Sequence, residues 1–288
     1  DWARTSGFEV VCAGKGTKYL PEFHYSTPET VWAHYGVTPD EAARSGMNPK
    51  MFNSFLDGTK SAIEMAAVAN ATGLRPPPDG LQFPPCPTGR LAEVLKPAAE
   101  GGTLSHKGTV EVISSLNRDG SEVERDLRWG VYVTFKAPSG YAARSLREYG
   151  MATDSSGRYS ALYRPYHLIG LELGVSIASA ALRGEPTGAP GEFAADVVAV
   201  AKHDLAAGEV LDGEGGYTVW GKLMPAENSV SRGLLPIGLG AGVTLKNPVA
   251  AGQAVQWQDV EIDESSEHVK FRREMEEECP PSAGTNAM

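Results

Sequence analysis

Two stretches, Thr109-Val-Glu-Val-Ile113 and Trp129-Gly-Val-Tyr-Val-Thr-Phe135, concentrate the β-branched and aromatic residues that favour strands. Between them, Asn117-Arg-Asp-Gly120 has the composition of a hairpin turn. Tyr159-Ser-Ala-Leu-Tyr163 reads as a further strand able to pair with them, and Pro165 leads into a helix expected from His167 to Arg183. The longest apolar stretch, Leu168 to Leu182, falls in that helix; it is too short to span a bilayer and contains Glu172, so it is expected to be buried, with no membrane span. Together these elements predict an α+β fold, an antiparallel sheet with helices packed on it.

Working upstream, Asp1 to Arg4 resembles the end of a helix with Gly7 as its terminator, and Phe8-Glu-Val-Val-Cys-Ala13 reads as a buried strand closing a unit begun earlier. Gly14-Lys-Gly-Thr-Lys18 and Tyr19-Leu-Pro21 then read as a glycine-punctuated loop. Thr27-Pro-Glu29 and Thr38-Pro-Asp-Glu41 carry helix-start signals, an N-cap followed by proline and acids near the positive end of the dipole. A longer helix is expected from Asp57-Gly-Thr-Lys60 to Asn70, with Ile63, Ala66, Ala67 and Asn70 on one face. Residues 75 to 109 read as extended loop, with one short helical candidate from Arg90 to Leu95.

Downstream, Gly184-Glu-Pro-Thr-Gly-Ala-Pro-Gly191 is the best boundary candidate, since no periodic element crosses it. Beyond it, His203-Asp-Leu-Ala-Ala-Gly-Glu-Val-Leu211 is echoed by Asn247-Pro-Val-Ala-Ala-Gly-Gln-Ala-Val255. The echo predicts two similar strand-turn-strand units around one small β core. The tail from Glu264, with Glu274-Met-Glu-Glu-Glu278 and Pro280 to Gly284, reads as a solvated end.

The formal charge of −10 excludes a general nucleic-acid binder, which needs a basic face to meet phosphate. With 41% hydrophobic and 22% charged residues the composition is globular, and the length favours two domains over one. Cys12, Cys86 and Cys279 are odd in number and far apart, which points to a reducing compartment and a cytoplasmic location. No Cys-x-x-Cys occurs and the histidines lack ligand spacing, so no metal site is expected. No leader peptide is visible before the first strand.

Three clusters can carry chemistry. Lys15 and Lys18 place two ammonium groups beside flexible backbone at the end of a strand, where ligands bind in α/β sheets; two solvated lysines on an ordinary turn is the plain alternative. Lys60 sits in the first turn of a helix, facing the positive end of the macrodipole, between Asp57 and Glu64. A lysine so flanked can transfer a proton or orient a substrate; alternatively Asp57 only caps and Lys60 only meets water. Tyr163-Arg-Pro-Tyr-His167 combines an anion clamp with an imidazole at a strand-to-helix turn, or is a packed aromatic corner. The remaining histidines receive no role. Neither a Walker loop nor a dinucleotide glycine motif is present; Gly238-x-Gly240-x-Gly242 has the wrong spacing.

The segment Asp196 to Asp263, with Ala201-Lys-His-Asp-Leu-Ala-Ala-Gly-Glu-Val-Leu211, Gly215-Gly-Tyr-Thr-Val-Trp-Gly-Lys222, Leu234 to Leu239 and Val260-Glu-Ile-Asp263, resembles a SAF domain. Joined to Val10-Val-Cys-Ala-Gly-Lys-Gly-Thr-Lys-Tyr-Leu-Pro21 and Phe55-Leu-Asp-Gly-Thr-Lys60, it is similar to the predicted homoserine dehydrogenases with a C-terminal SAF domain, a group that includes enzymes like deoxyxylulose phosphate reductoisomerase. The resemblance implies an oxidoreductase dependent on NADP or NAD, acting on a small polar hydroxy or oxo compound, phosphorylated in some members. Its implied organisation is a remnant of a Rossmann domain over 1–25, a catalytic and dimerisation domain over 26–190, a SAF domain over 191–264 and a tail over 265–288.

By the same resemblance Val10-Val-Cys-Ala-Gly-Lys15 matches the stretch that closes a homoserine dehydrogenase nucleotide domain. It implies that Gly14 and Gly16 adjoin the cofactor and that Lys15 lies near the nicotinamide. Lys60 is then the expected general acid or base, oriented by Asp57 and assisted by Lys15, with Lys18, Glu64 and His167 as substrate contacts. Asp57 and Lys60 stand three apart where the family has four, which separates this chain from a homoserine substrate. A homodimer is implied, and the fragment by itself is expected to be catalytically silent. The alternative function is a SAF-type module that binds a sugar or acid without chemistry.

Overall fold

The computed structural model describes residues 1–281. Its elements, in chain order, are α1 (Trp2–Thr5), β1 (Glu9–Thr17), α2 (Val31–Tyr35), α3 (Pro39–Arg44), α4 (Pro49–Leu56), α5 (Thr59–Thr72), α6 (Leu91–Val94), β2 (Thr109–Ser114) and β3 (Val131–Lys136). There follow α7 (Gly140–Glu148), β4 (Tyr159–Arg164), α8 (Leu173–Ala178), β5 (Ala195–Ala201), β6 (Val210–Asp212), β7 (Val219–Pro225), α9 (Ala226–Ser231), β8 (Ala241–Leu245), β9 (Val260–Glu261) and α10 (Glu267–Glu278). The described residues divide into two compact units, each discontinuous in sequence. The first comprises Asp1–Lys18, Ala67–Pro78 and Gln82–Gly191; the second Tyr19–Ala66, Asp79–Leu81 and Glu192 onward.

The first unit is built on a sheet of order β2-β1-β3-β4, in which β1 pairs parallel with β2 and antiparallel with β3. The sheet is therefore mixed, and the expected hairpin between β2 and β3 does not form, because β1 lies between them. The reason is visible in β1. It runs through Thr17, so Gly14-Lys-Gly-Thr17 is strand where a loop was expected. A side chain at Gly14 would stand 1.7 Å from the Glu111 carbonyl oxygen, and one at Gly16 1.9 Å from that of Leu127. Glycine inside a strand here marks close approach of neighbouring backbone.

Apolar clusters cover both faces of this sheet. Cys12, Leu91, Leu95, Ile113, Tyr132 and Tyr159 pack on one side, and Ala3, Phe135, Ala143 and Leu146 on the other, where α1 and α7 contribute. The residues from Leu168 to Leu182 depart from expectation: α8 is short, continues as a π-helical turn over Ser179–Arg183, and exposes most of its large apolar side chains.

The second unit contains the strongest helix-start signal. Thr38 Oγ1 accepts the Glu41 N–H at 3.3 Å while Glu41 Oε2 accepts the Thr38 N–H at 2.9 Å, a complete capping box on α3. Helix α4, capped by Asn48, was not anticipated. The buried apolar residues of α5, which runs from the second unit into the first, are Ala62, Met65, Ala66 and Ala69, one step round from the expected face, and Ala67 is exposed.

The two echoing segments pair with each other. Leu205 and Val249 exchange both backbone hydrogen bonds, 2.8 and 3.0 Å. Gly208 N–H donates to Leu245 O and Gly252 N–H to Ala201 O, each 2.8 Å, so these bonds are matched between the two copies. Gly208 and Gly252 have φ of +86° and +77°, which explains the shared Ala-Ala-Gly: the turn needs the left-handed region that glycine enters freely. Around this pseudo-two-fold lie the β5–β7 ribbon and the β6-β8-β9 sheet.

Residues 267–278, expected to be a solvated tail, form α10, anchored by Val269 and by a bidentate bond from Arg272 to Asp196 at 2.6 and 3.1 Å. Residues 282–288, the rest of that expected tail, lie outside the described residues. No described helix is long and apolar enough to cross a membrane.

Candidate active site

In the second unit, α4 ends at Leu56 and α5 begins at Thr59, so Asp57 occupies the joint between two helices. Its side chain is fully buried. Oδ1 accepts the Thr59 N–H at 2.9 Å, which satisfies an otherwise unpaired donor at the start of α5. Oδ2 accepts from Lys202, not from Lys60, at 2.8 Å. The expectation that Asp57 orients Lys60 is thereby corrected. Both Asp57 oxygens are taken up, by the Thr59 N–H and by Lys202, while Lys60 pairs with Glu64 one turn further on.

Lys202 follows the buried strand β5 and is itself buried. Its three ammonium protons have three acceptors, Asp57 Oδ2, Ser26 O at 2.7 Å and Gly216 O at 2.8 Å. Asn53 completes the knot: Nδ2 donates to Ser26 O and Gly215 O, and Oδ1 accepts the Ser26 hydroxyl. Burial pushes the Asp57 carboxyl above its ordinary range, against the opposing pull of the Lys202 ammonium. Lys202 was not among the expected site residues, although a lysine directly after Val197-Val-Ala-Val-Ala201 is a signal, since a buried ammonium must find a counter-charge.

His24, which received no role, lies against the same joint. Its Nδ1 is 2.7 Å from Asp57 O, which can only accept, so Nδ1 carries the proton and Nε2 accepts from the Tyr19 hydroxyl at 3.0 Å. The ring stacks on Trp220 at 3.8 Å. Burial pulls its pKa down to about 4, with the Asp57 carbonyl working in the opposite direction and Lys222 and Lys202 adding to the fall. The imidazole is thus neutral at physiological pH and serves as a fixed wedge.

Lys60 and Glu64 form their own pair, Nζ to Oε1 at 3.0 Å, one turn apart on α5. The lysine side chain is 33% exposed, so its ammonium is held by a carboxylate and still reaches solvent. Next to it the start of α5 is docked on β7, where Gly221 N–H donates to Thr59 Oγ1 at 2.8 Å.

The other expected site residues lie in the first unit. Lys15 is half-buried in the central strand, paired in register with Val112 and Val131, and its side chain leaves the face opposite Gly14 and Gly16. Lys18 follows the end of β1; partial burial and the Arg128 charge lower its pKa, with Glu122 opposing them. His167 is tied down through Nδ1 to Trp129 O at 2.9 Å. Among the described residues no cluster of His, Cys, Asp and Glu is arranged to hold a metal ion. A shallow cavity of about 640 Å³ between α10 and Pro236–Leu239 is lined by none of the residues expected to act.

Residues 1–173 match the family model of the catalytic domain of oxidoreductase DRL. The chain belongs to the oxidoreductase DRL family. No curated protein matches the chain. Family membership makes the chain part of an oxidoreductase, with the matched segment containing Lys15, Lys18, Asp57, Lys60, Glu64 and His167. A nicotinamide cofactor is common among such enzymes. At the two glycines expected to adjoin it, Gly14 and Gly16, the space a side chain would take is filled by the backbone of Glu111 and Leu127.

Proposed function

We propose that this chain carries the substrate-side machinery of an NADP- or NAD-dependent oxidoreductase that acts on small polar hydroxy or oxo compounds, phosphorylated ones included. The hydride carrier is part of the proposal through the family resemblance, as are the cytoplasmic location and the reading of residues 191–264 as a SAF domain. The observation that supports it within this chain is the Lys60–Glu64 pair: an ammonium fixed by a carboxylate at 3.0 Å, one-third exposed, in the matched catalytic segment.

Reduction of a carbonyl builds negative charge on its oxygen, and a positioned ammonium both stabilises that charge and supplies the proton. Lys60 Nζ donates the proton in this direction and takes it back in the other, while Glu64 holds the amine in place and solvent replenishes it. Asp57 takes no part in proton transfer here; its role is to fix the start of α5 on which Lys60 stands. Lys15, Lys18 and His167 retain the cofactor- and substrate-facing roles that the resemblance implies.

The test follows reduced nicotinamide absorbance with the full-length protein and a panel of hydroxy and oxo compounds. Lys60→Ala should lower kcat by about a hundredfold or more. Lys60→Arg should restore little of it, because guanidinium keeps the charge and does not release its proton. Unchanged turnover in Lys60→Ala overturns the assignment.

A further inference from the structure

Near the joint of α4 and α5, in the second unit, Lys202 and Lys60 each face a carboxylate, Asp57 and Glu64 respectively. Lys222, in β7, is treated differently. It is half-buried, and among the described residues its ammonium has no hydrogen bond and no ion pair. Asp79 stands in the turn that packs on this lysine, but it is exposed and forms no ion pair with it.

The stem of Lys222 is held in place. Gly80, with φ of +85°, lies so close that a side chain there would stand 3.1 Å from Lys222 Cε and 3.5 Å from Cγ, which leaves the charged end to meet a partner. Successive side chains of a strand leave opposite faces, so Lys222 shares a face of β7 with Trp220, whose ring stacks on His24 at 3.8 Å. The Lys222 charge is one of those that keep His24 neutral, which sets it on the His24 side of the strand. The ring nitrogens of His24 are engaged by Asp57 O and the Tyr19 hydroxyl. Lys60 adjoins the same place: Gly221 N–H donates to Thr59 Oγ1 at 2.8 Å, and Lys222 and Lys60 are the next residues on the two sides of that bond.

We propose that Lys222 is the anion clamp of a substrate site whose reacting end meets Lys60, and that the compound bound there carries a phosphate or carboxylate away from the carbon that is oxidised or reduced. The proposal rests on the reading of Lys60 given above. A half-buried ammonium without a counter-charge is costly, and an anionic ligand supplies the charge that is missing. Asp57 and Glu64 are already engaged and His24 is neutral, so the groups around Lys222 offer an incoming anion no uncompensated negative charge. Because Gly80 confines the stem, little side-chain freedom is lost when the anion binds. Binding energy from a group remote from the reacting carbon then serves to orient that carbon. A phosphate on the nicotinamide carrier has the same chemistry; the substrate is favoured because Lys222 and Lys60 flank one hydrogen bond.

The experiment is thermal melting of the full chain in inorganic phosphate and in chloride at equal ionic strength, with Lys222→Met, Lys222→Arg and, as control, Lys246→Met at an exposed position of the same unit. Methionine keeps the packing of the stem against Gly80, and circular dichroism checks the fold. A ligand that binds only the folded state raises the melting temperature, so phosphate should stabilise the wild-type chain beyond chloride. Lys222→Met should lose that rise, whereas Lys222→Arg and Lys246→Met should keep it. With the panel of hydroxy and oxo compounds, Lys222→Met should raise KM about tenfold or more for those bearing a phosphate or carboxylate, and leave KM for uncharged compounds and for the nicotinamide carrier nearly unchanged. A rise shared with chloride, or kept in Lys222→Met, overturns the proposal, as does a KM effect confined to the carrier. Phosphate binding through Lys222 without turnover of any compound would support the clamp and count against the oxidoreductase reading.

Discussion

Asp57 and Glu111 are both withdrawn from solvent, one in each unit, and they are kept by different means. Asp57 has a buried cation, Lys202, at 2.8 Å. Glu111 is held by backbone: its oxygens accept the N–H of Val112 at 2.8 Å, of Gln82 at 3.1 Å and of Phe83 at 3.3 Å. Phe83 pays for its place with a φ of +50°, an uncommon conformation for an aromatic residue, and its carbonyl is bound in turn by Arg118. Burial raises the pKa of Glu111 to about 7, with the three N–H donors and the Arg118 charge opposing it. The pair in the second unit depends on both partners. The single carboxyl in the first unit depends on no one side chain and is poised to titrate near neutrality.

The largest consequence falls on Lys202. Lys202→Met keeps most of the side chain's volume but leaves Asp57 as a buried charge, with Ser26 O and Gly216 O each short of a donor. Removing one member of a buried pair costs about 3–5 kcal/mol. Urea unfolding should show that loss, and adding Asp57→Asn to the same protein should recover part of it, because the orphaned charge is gone. A loss below about 1 kcal/mol would mean that water reaches Asp57 and that the two carboxylates differ less than their geometry indicates.

A smaller and pH-dependent effect is expected at Glu111. Its folded pKa of about 7 lies above the ordinary 4.5, so the folded state prefers the protonated acid. The stabilisation is therefore fully present below the ordinary value and is lost as pH rises through about 7, a swing of about 3 kcal/mol. Glu111→Gln cannot titrate, so the stability difference between wild type and variant should move in the variant's favour between about pH 5 and about pH 8. Melting curves across that range check it. A flat difference would show that the backbone donors keep Glu111 ionised throughout, and the contrast with Asp57 would reduce to the choice of donor.

What the sequence displayed, and what it concealed, follows the range of the interactions involved. The capping box at Thr38 and Glu41 and the Ala-Ala-Gly echo are local patterns with one physical meaning each, and both were legible. Gly14 and Gly16 were not, because a glycine that frees a loop and one that admits a neighbouring strand are identical in sequence; only the positions of Glu111 and Leu127 decide between them. The stretch from Leu168 to Leu182 was read as buried because apolar residues are usually covered within their own chain, yet most of its large apolar side chains are exposed. In the candidate site, Lys60 and Glu64 were found from helical spacing. Lys202 was not, since its partner Asp57 lies far away in sequence and no local pattern joins them.

The Lys60–Glu64 pair supplies the smallest effect on stability and the sharpest contrast with Lys202. Both lysines face a carboxylate at hydrogen-bond distance, 3.0 Å for one and 2.8 Å for the other. Only Lys60 keeps contact with water, and partly exposed pairs of this kind contribute about 0.5 kcal/mol or less. Glu64→Gln should therefore leave the urea midpoint nearly unchanged. If Glu64 positions the Lys60 amine for proton transfer, the same substitution should lower kcat while leaving KM nearly unchanged. A merely structural Glu64 moves neither quantity, whereas a loss of stability as large as that in Lys202→Met would place Lys60 with the buried scaffold and out of proton transfer.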